Sequence, residues 1–523
     1  MGIFALYDIM SIQKYIYSSN RLRDNQGASE LVGRCFSELL LKTIEKKAEE
    51  GIFSKVSLDW ETKPEAVAFL EDSEVDCEVL YIGGGNALLY FKDETGTAWK
   101  NINETFSAAL LKEMPGLGVV TETAKNTGDF GRDLDQLFKK LQLKKYKSRD
   151  WQDAPCLSVT RECVWSGKPA VAQGADGNWI SEEIVKKREA SGQKISREIY
   201  KEMGDLAGPE GEQWVAVVHV DGNRMGDSIR KLTMGKDLKE GVTVLRKFSR
   251  EIGKLYDAAY EKMTAWCAEW IQRSSDFRLK FYKEKPEPPF RKIYGAGDDL
   301  TFLCYGPLAI CAAEQFLKNL EEGREENTYF QKNQIATYAC AGIAFLKPGY
   351  PFSKAYEIAE ACCRSAKKRS IKEMGSYLDF QVIYGGLNSL KQMREAQMGE
   401  SSKKMLRPYR TACSDKEELK NFYLISDWLV DSKIARSKWK ELRNALDEGE
   451  MALKKSMGRL RRNNNEEITK LLALLNENHV LVDVDTDGSD SGIIWDGLEM
   501  MDLYVKDNGD REAEDEADNR TIE

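Results

Sequence analysis

The sequence predicts an α+β protein made of two ferredoxin-like palm domains of order β-α-β-β-α-β, with a small connecting domain between them and a helical bundle after them. Three observations predict it. In Ile293-Tyr294-Gly295-Ala296-Gly297-Asp298-Asp299-Leu300-Thr301-Phe302-Leu303, apolar runs flank a glycine turn with two adjacent carboxylates, the pattern of a β-hairpin with acids at its tip. A second strand, glycine turn and strand lies at 78–82, Gly83-Gly84-Gly85-Asn86 and 87–91. Each hairpin follows a strand ending in Asp, with Asp8 lying 78 residues before Asn86 and Asp221 lying 77 before Asp298, so the two stretches read as copies of one unit.

In chain order, residues 3–9 form a strand, 11–23 an amphipathic segment, and Gly27-Ala28-Ser29 opens a helix that runs to about 50 and stops at Gly51. After the first hairpin come a helix at 99–112 and a strand at 118–123. The second copy repeats this order: an apolar strand at 214–220, Asp221-Gly222-Asn223-Arg224-Met225-Gly226, a long helix at 240–272, the hairpin, a helix at 307–321 and a strand at 337–345. Ala355, Ile358, Ala359, Cys362, Cys363 and Ala366 make one apolar stripe, so 353–368 is a helix ending in Lys367-Lys368-Arg369. Helices near 416–430, 434–456 and 465–478 complete a bundle. The domains are then 1–150, first palm; 151–212, connecting domain; 213–385, second palm; 386–505, helical domain; and 506–523, an acidic tail expected to be disordered.

This alignment of the copies sets Gly84-Gly85-Asn86-Ala87 on Ala296-Gly297-Asp298-Asp299, so the first hairpin has Asn86 and Ala87 where the second has its acids. Adjacent acids repel and resist burial unless a cation compensates them. Asp221, Asp298 and Asp299 therefore form the candidate catalytic set, holding two Mg²⁺ or Mn²⁺ ions with Gly222. Such a site suits attack of a ribose 3′-hydroxyl on an α-phosphate with loss of pyrophosphate, working by positioning and charge neutralisation without a histidine base. Gly83, Gly84, Gly85 and Asn86 offer backbone N–H groups to a phosphate, while beside the acids Gly222 lets the backbone approach a metal or phosphate, Asn223 and Gly226 shape the same turn, and Gly297 and the Lys367 cation complete the nucleotide-binding set.

Composition excludes several classes. Two histidines, His219 and His479, are too few for an HD-type nuclease or a histidine-rich zinc hydrolase. A net charge of −9 argues against nucleic-acid binding over most of the surface, and leaves local basic patches at 139–149 and 454–462, each read first as a solvated helix face. The eleven cysteines include no Cys-x-x-Cys; Cys156 and Cys163 lack a second pair for zinc, and Cys35, Cys267, Cys304, Cys311, Cys340, Cys362 and Cys363 sit in apolar or helical patterns as reduced thiols. Asp483-Val484-Asp485-Thr486-Asp487-Gly488 starts like a calcium loop but has Ile494 where the bidentate Glu belongs. No apolar run spans a membrane and no signal segment begins the chain, so a cytoplasmic location is expected.

The chain resembles the large palm-domain subunit of type III CRISPR effector complexes, the Cas ten family with its GGDD hairpin. Asp8 to Gln13, Gly27-Ala28-Ser29, Gly83 to Asn86, Asp221 to Gly226, Gly295 to Asp299, Ala341-Gly342-Ile343, Tyr350 to Lys368 and Leu378-Asp379-Phe380 carry the resemblance, in order, over about residues 1 to 480. It implies a nucleotidyl cyclase joining ATP into cyclic oligoadenylate, with two ATP molecules between the palms. Its implied partners are effector subunits, guide RNA and target RNA, or a second copy of the chain, with no membrane. Against the family pattern, the HD nuclease domain is expected to be missing, Ala296 replaces the first Gly of GGDD, and Asn223 stands where a second Asp is common. Two other readings stay open: a non-enzymatic scaffold of an RNA-guided ribonucleoprotein, and a GGDEF-like cyclic dinucleotide synthase or palm polymerase.

Overall fold

The computed structural model describes residues 2–147, 156–195, 200–209, 213–335, 337–386, 388–398, 405–411, 418–448, 450–464, 466–470 and 492–506. The first sheet comprises β1 (Ile3–Met10), β2 (Val56–Ser57), β3 (Cys77–Gly83), β4 (Asn86–Phe91) and β5 (Gly118–Lys125), in the order β2-β3-β4-β1-β5. Without the short β2 this is the ferredoxin-like order, with β1 antiparallel to both neighbours. A connecting hairpin, β6 (Ala172–Gln173) and β7 (Trp179–Ile180), precedes helix Glu182–Ile195. The second sheet comprises β8 (Val215–Gly222), β9 (Phe290–Ala296), β10 (Asp299–Tyr305), β11 (Ala339–Leu346), β12 (Tyr377–Val382) and β13 (Tyr409–Arg410), ordered β13-β12-β11-β8-β10-β9. Its β11-β8-β10-β9 core repeats the first palm, and β12 and β13 extend one edge, an addition the sequence did not predict.

Central strand β8 is buried almost throughout, which accounts for its Val-Ala-Val-Val run in place of an alternating one. On one face helix Phe352–Glu373 lies directly on β11. A Cβ on Gly342 would sit 1.9 Å from the Ala359 carbonyl oxygen, so only glycine lets that helix approach. Helix Phe130–Lys147 covers the matching face of the first sheet, its Phe130, Leu134, Leu137 and Leu141 packing with Phe4 and Leu6 of β1. Leu238, Val242 and Leu245 of the 36-residue helix Leu238–Arg273 join the same cluster, so an element of the second palm is part of the first palm's core. The buried Arg246 of that helix donates to the carbonyls of Ala66, Val79 and Leu80 and pairs with Glu78 at 3.2 Å.

Several expectations shift. The helix expected to open at Gly27 starts at Leu22, and Gly27 is instead a contact: a Cβ there would lie 1.7 Å from the Lys187 carbonyl oxygen, so helix Glu182–Ile195 presses on this turn. Chain connecting the palms thereby packs tightly on the first of them. Much of the first basic patch is spent within the protein: Lys140 and Lys144 donate to the carbonyls of Thr123 and Thr121, and Lys139 pairs with Asp135. Helices Glu418–Asp431, Arg436–Glu448 and Glu450–Asn463 answer two of the three bundle segments; most of 465–478, the calcium-like loop and the acidic tail lie outside the described residues. Among the described residues Cys35, Cys267, Cys304, Cys340, Cys362 and Cys363 are buried thiols, and no helix is long and apolar enough to cross a membrane.

Candidate active site

Asp221 ends β8 and Asp299 begins β10, and the antiparallel register sets them directly opposite each other. Between β9 and β10 the two-residue turn is Gly297-Asp298, with Gly297 at φ +63, which a side chain would strain. The tip is tied to the neighbouring strand by Gly222 N–H donating to the Asp298 carbonyl at 3.1 Å. A Cβ on Gly222 would come within 2.7 Å of Asp298 Oδ2, so this glycine keeps the space beside the carboxylate clear. Asp221, Gly222, Asp298 and Asp299 are therefore brought together as predicted.

Their electrostatics are those of acids short of positive charge. Burial, then the Asp221 charge, pushes the Asp298 carboxyl up to about 6. Burial, then the Asp221 and Asp298 charges, push the Asp299 carboxyl well above its ordinary value, and its buried Oδ1 has no hydrogen-bond partner. Lys367 holds Asp221: its Nζ lies 2.5 Å from Asp221 Oδ2 and donates to the Gly222 carbonyl at 2.9 Å. Although burial works against the charge, Asp221 keeps the Lys367 ammonium above its ordinary pKa. His219, two residues earlier on the same face, bonds Thr301 Oγ1 through Nδ1 at 3.1 Å. Burial, then Lys367 and Arg364, press its pKa to about 3, so the imidazole is neutral, with Nδ1 3.5 Å from Asp299 Oδ1.

The oxygens of Asp221, Asp298, Asp299 and the Gly222 carbonyl are the hard donors Mg²⁺ and Mn²⁺ take, and the orphaned Asp299 Oδ1 is the kind of atom a cation satisfies. The donor chemistry fits. Among the described residues no three His, Cys, Asp or Glu side chains are already converged on one ion position, and the Lys367 ammonium stands on the Asp221 carboxylate.

Two predicted residues sit differently. The Asn223 side chain turns inward, donating to Ser370 Oγ at 2.8 Å and lying 3.4 Å from Cys340 Sγ, so it braces helix Phe352–Glu373 in place of facing a nucleotide. Gly226 is the second residue of helix Met225–Thr233, with open space where a Cβ would stand and no contact to the carboxylates.

In the first palm, β1 and β4 set Asp8 opposite Asn86, as Asp221 is opposite Asp299. Ile9 N–H donates to the Gly85 carbonyl as Gly222 N–H does to Asp298. The copies therefore align one residue away from the sequence reading: Asn86 corresponds to Asp299 and Gly85 to Asp298, while Ala87 lies inside the strand opposite Tyr7. The two positions that lost their acids are Gly85 and Asn86. Gly84 and Gly85 both have positive φ, and Asn86 Nδ2 closes the turn on the Gly84 carbonyl at 3.2 Å. The same correspondence sets Ser11, φ 48, on Arg224, φ 58, each beginning the helix after the Asp strand.

The palms meet around the acids through residues that sequence reasoning missed. Tyr17 of the first palm stacks on Tyr356 of the second at 3.8 Å, and the Asp299 charge helps raise the pKa of both buried hydroxyls after burial itself. Tyr81, at the end of β3, bonds Ser249 Oγ at 3.3 Å and lies in the field of Asp298. No pattern within either segment marks these tyrosines, because each finds its partner in the other palm.

Residues 214–374 match the family profile described as Cas10/Cmr2, second palm domain. The whole chain is similar in fold to a chain of a Csm1–Csm4 cassette crystallised in complex with cA4, with TM-score 0.52 and 12% identity, covering 97% of this chain and 70% of that one. A Csm1–Csm4 cassette in complex with pppApA gives TM-score 0.51 and 13% identity, covering 97% and 69%. No curated protein matches the chain in sequence.

Proposed function

With residues 214–374 a second palm domain of the Cas10/Cmr2 kind, we propose that the chain is a metal-dependent nucleotidyltransferase converting ATP into cyclic oligoadenylate messengers in CRISPR-type antiviral defence. One observation carries the reading: Asp221 and Asp299 lie in register on adjacent strands with Asp298 at the tip, beside a twin hairpin that keeps the glycines and lacks the acids. Mg²⁺ or Mn²⁺ held by Asp221, Asp298, Asp299 and the Gly222 carbonyl would neutralise the triphosphate and ease loss of the 3′-hydroxyl proton.

The chain's own part is to place these groups. The Gly222-to-Asp298 hydrogen bond fixes the tip, and the β8–β10 register fixes the two flanking carboxylates. Gly83, Gly84, Gly85 and Asn86 form the turn that would hold the second nucleotide's phosphates, with Gly84 at positive φ, as is Gly297 in the corresponding place on the live side. The Csm1–Csm4 cassettes of similar fold are complexes with cA4 and pppApA, which supports adenylate chemistry. The reading also takes in a cytoplasmic setting, activation by RNA, and effector subunits with guide and target RNA as partners.

Purified protein incubated with ATP or GTP, Mg²⁺ or Mn²⁺, with and without RNA, and analysed by product mass tests the reading. Cyclic adenylates from ATP are expected. Asp298→Ala combined with Asp299→Ala should lower turnover by about 10³-fold or more. No product from the wild type under any condition would leave the scaffold reading instead, and full turnover by the double variant would displace the assigned site.

A further inference from the structure

The Asp–Lys pair occurs twice. Lys145 Nζ sits 2.5 Å from Asp8 Oδ2 in the first palm, as Lys367 Nζ sits 2.5 Å from Asp221 Oδ2 in the second. Asp8 and Asp221 are equivalent in the strand register. The lysines are equivalent too: each lies on the helix that follows the fourth strand of its palm, fifteen residues after the phenylalanine that begins it, Phe130 or Phe352. A chance surface ion pair would not recur at one position of two diverged copies.

Surroundings separate the two pairs. In the first palm the tip residues are Gly85 and Asn86, so Lys145 neutralises Asp8 and no further acid is present in the tip. In the second, Lys367 faces Asp221 with Asp298 and Asp299 beside it, and it also takes the Gly222 carbonyl. Those two oxygens belong to the donor set assigned above to the divalent ion. One ammonium cannot compensate three carboxylates, and Asp299 Oδ1 has no hydrogen-bond partner, with the neutral His219 Nδ1 3.5 Å away. An arriving ion of charge two competes with the ammonium for Asp221 Oδ2 and the Gly222 carbonyl, and at that separation the two cations repel each other strongly.

We infer that Lys367 is a built-in counter-cation that holds the metal-free site together and must be displaced when a divalent ion loads, whereas Lys145 is the permanently locked form of the same device. Displacement frees the Lys367 ammonium at the mouth of the site, where the sequence placed it as a phosphate ligand. The inference rests on the metal reading of the site given above.

The test is Mn²⁺ binding without nucleotide, followed by the electron paramagnetic resonance of the free ion, on the full chain. Lys367→Met should bind Mn²⁺ about tenfold more tightly than the wild type, about 1.4 kcal/mol, and should melt earlier than the wild type in EDTA with the gap closing as Mn²⁺ is added. Lys367→Gln keeps a donor for both oxygens without the charge, and should show the same tightening if the methionine variant does not fold. Lys145→Met should leave Mn²⁺ affinity unchanged. Unchanged or weaker binding by both Lys367 variants overturns the displacement, as does equal tightening in Lys145→Met. Should neither wild type nor variants bind Mn²⁺, the metal reading itself falls and takes this inference with it.

Discussion

Asp298→Asn should stabilise the metal-free protein at neutral pH. Folding raises this carboxyl from 3.8 to about 6 by burying it beside Asp221, so the charged form is worse off in the folded chain than in the unfolded one. Fully converted, that rise is about 3 kcal/mol, and solvent at the hairpin tip screens it to about 2 kcal/mol. The sign follows from proton linkage. Above pH 6 both states carry the charge and the folded state bears the whole cost; below about pH 4 both are protonated and the cost vanishes. Wild type should therefore lose about 2 kcal/mol relative to Asp298→Asn as pH rises from about 4 to about 6, and the gap should then stay constant. Urea unfolding of both proteins in EDTA across that range measures it. Saturating Mg²⁺ should shrink the gap by stabilising wild type more than the variant. If Asp298→Asn is no more stable than wild type at about pH 7.5 in EDTA, the carboxylate is not under the strain described and the site is not short of positive charge.

Two further substitutions separate structural from functional roles. Asn223→Ala should cost about 1 kcal/mol of stability through the lost bond to Ser370, with ATP affinity unchanged by equilibrium dialysis; a large loss of affinity at constant stability would return Asn223 to the nucleotide. Gly27→Ala drives a Cβ into the Lys187 carbonyl oxygen and should cost about 3 kcal/mol in urea unfolding, whereas Gly33→Ala in the same helix, with open space around it, should be neutral or slightly stabilising.

How much of this was legible depended on the range of the interaction concerned. The acidic hairpin could be read because turn glycines, flanking apolar strands and adjacent carboxylates are local, and the strand period of two leaves few alternatives. The duplication was legible because each copy repeats one order of elements. Its register was not: a glycine-rich turn accepts an alignment shifted by one, and only the strand pairing that puts Asp8 across from Asn86 decides it. The orientation of Asn223 was not legible for a related reason, since a side chain at the end of a strand can turn either way and Ser370, far along the chain, takes it.

By itself the sequence determined that two palms are present and that the second alone carries Asp221, Asp298 and Asp299 together. These follow from local pattern and residue inventory. Tertiary structure alone decided that Lys367 and Lys145 stand on equivalent aspartates, that Tyr17 stacks on Tyr356, and that the first palm's core includes a helix of the second. A lysine near a helix end is compatible with solvent, phosphate or carboxylate, and its partner is set by how closely the helix lies on the sheet. Gly342, by admitting the Ala359 backbone, sets that distance and brings Lys367 to the acids.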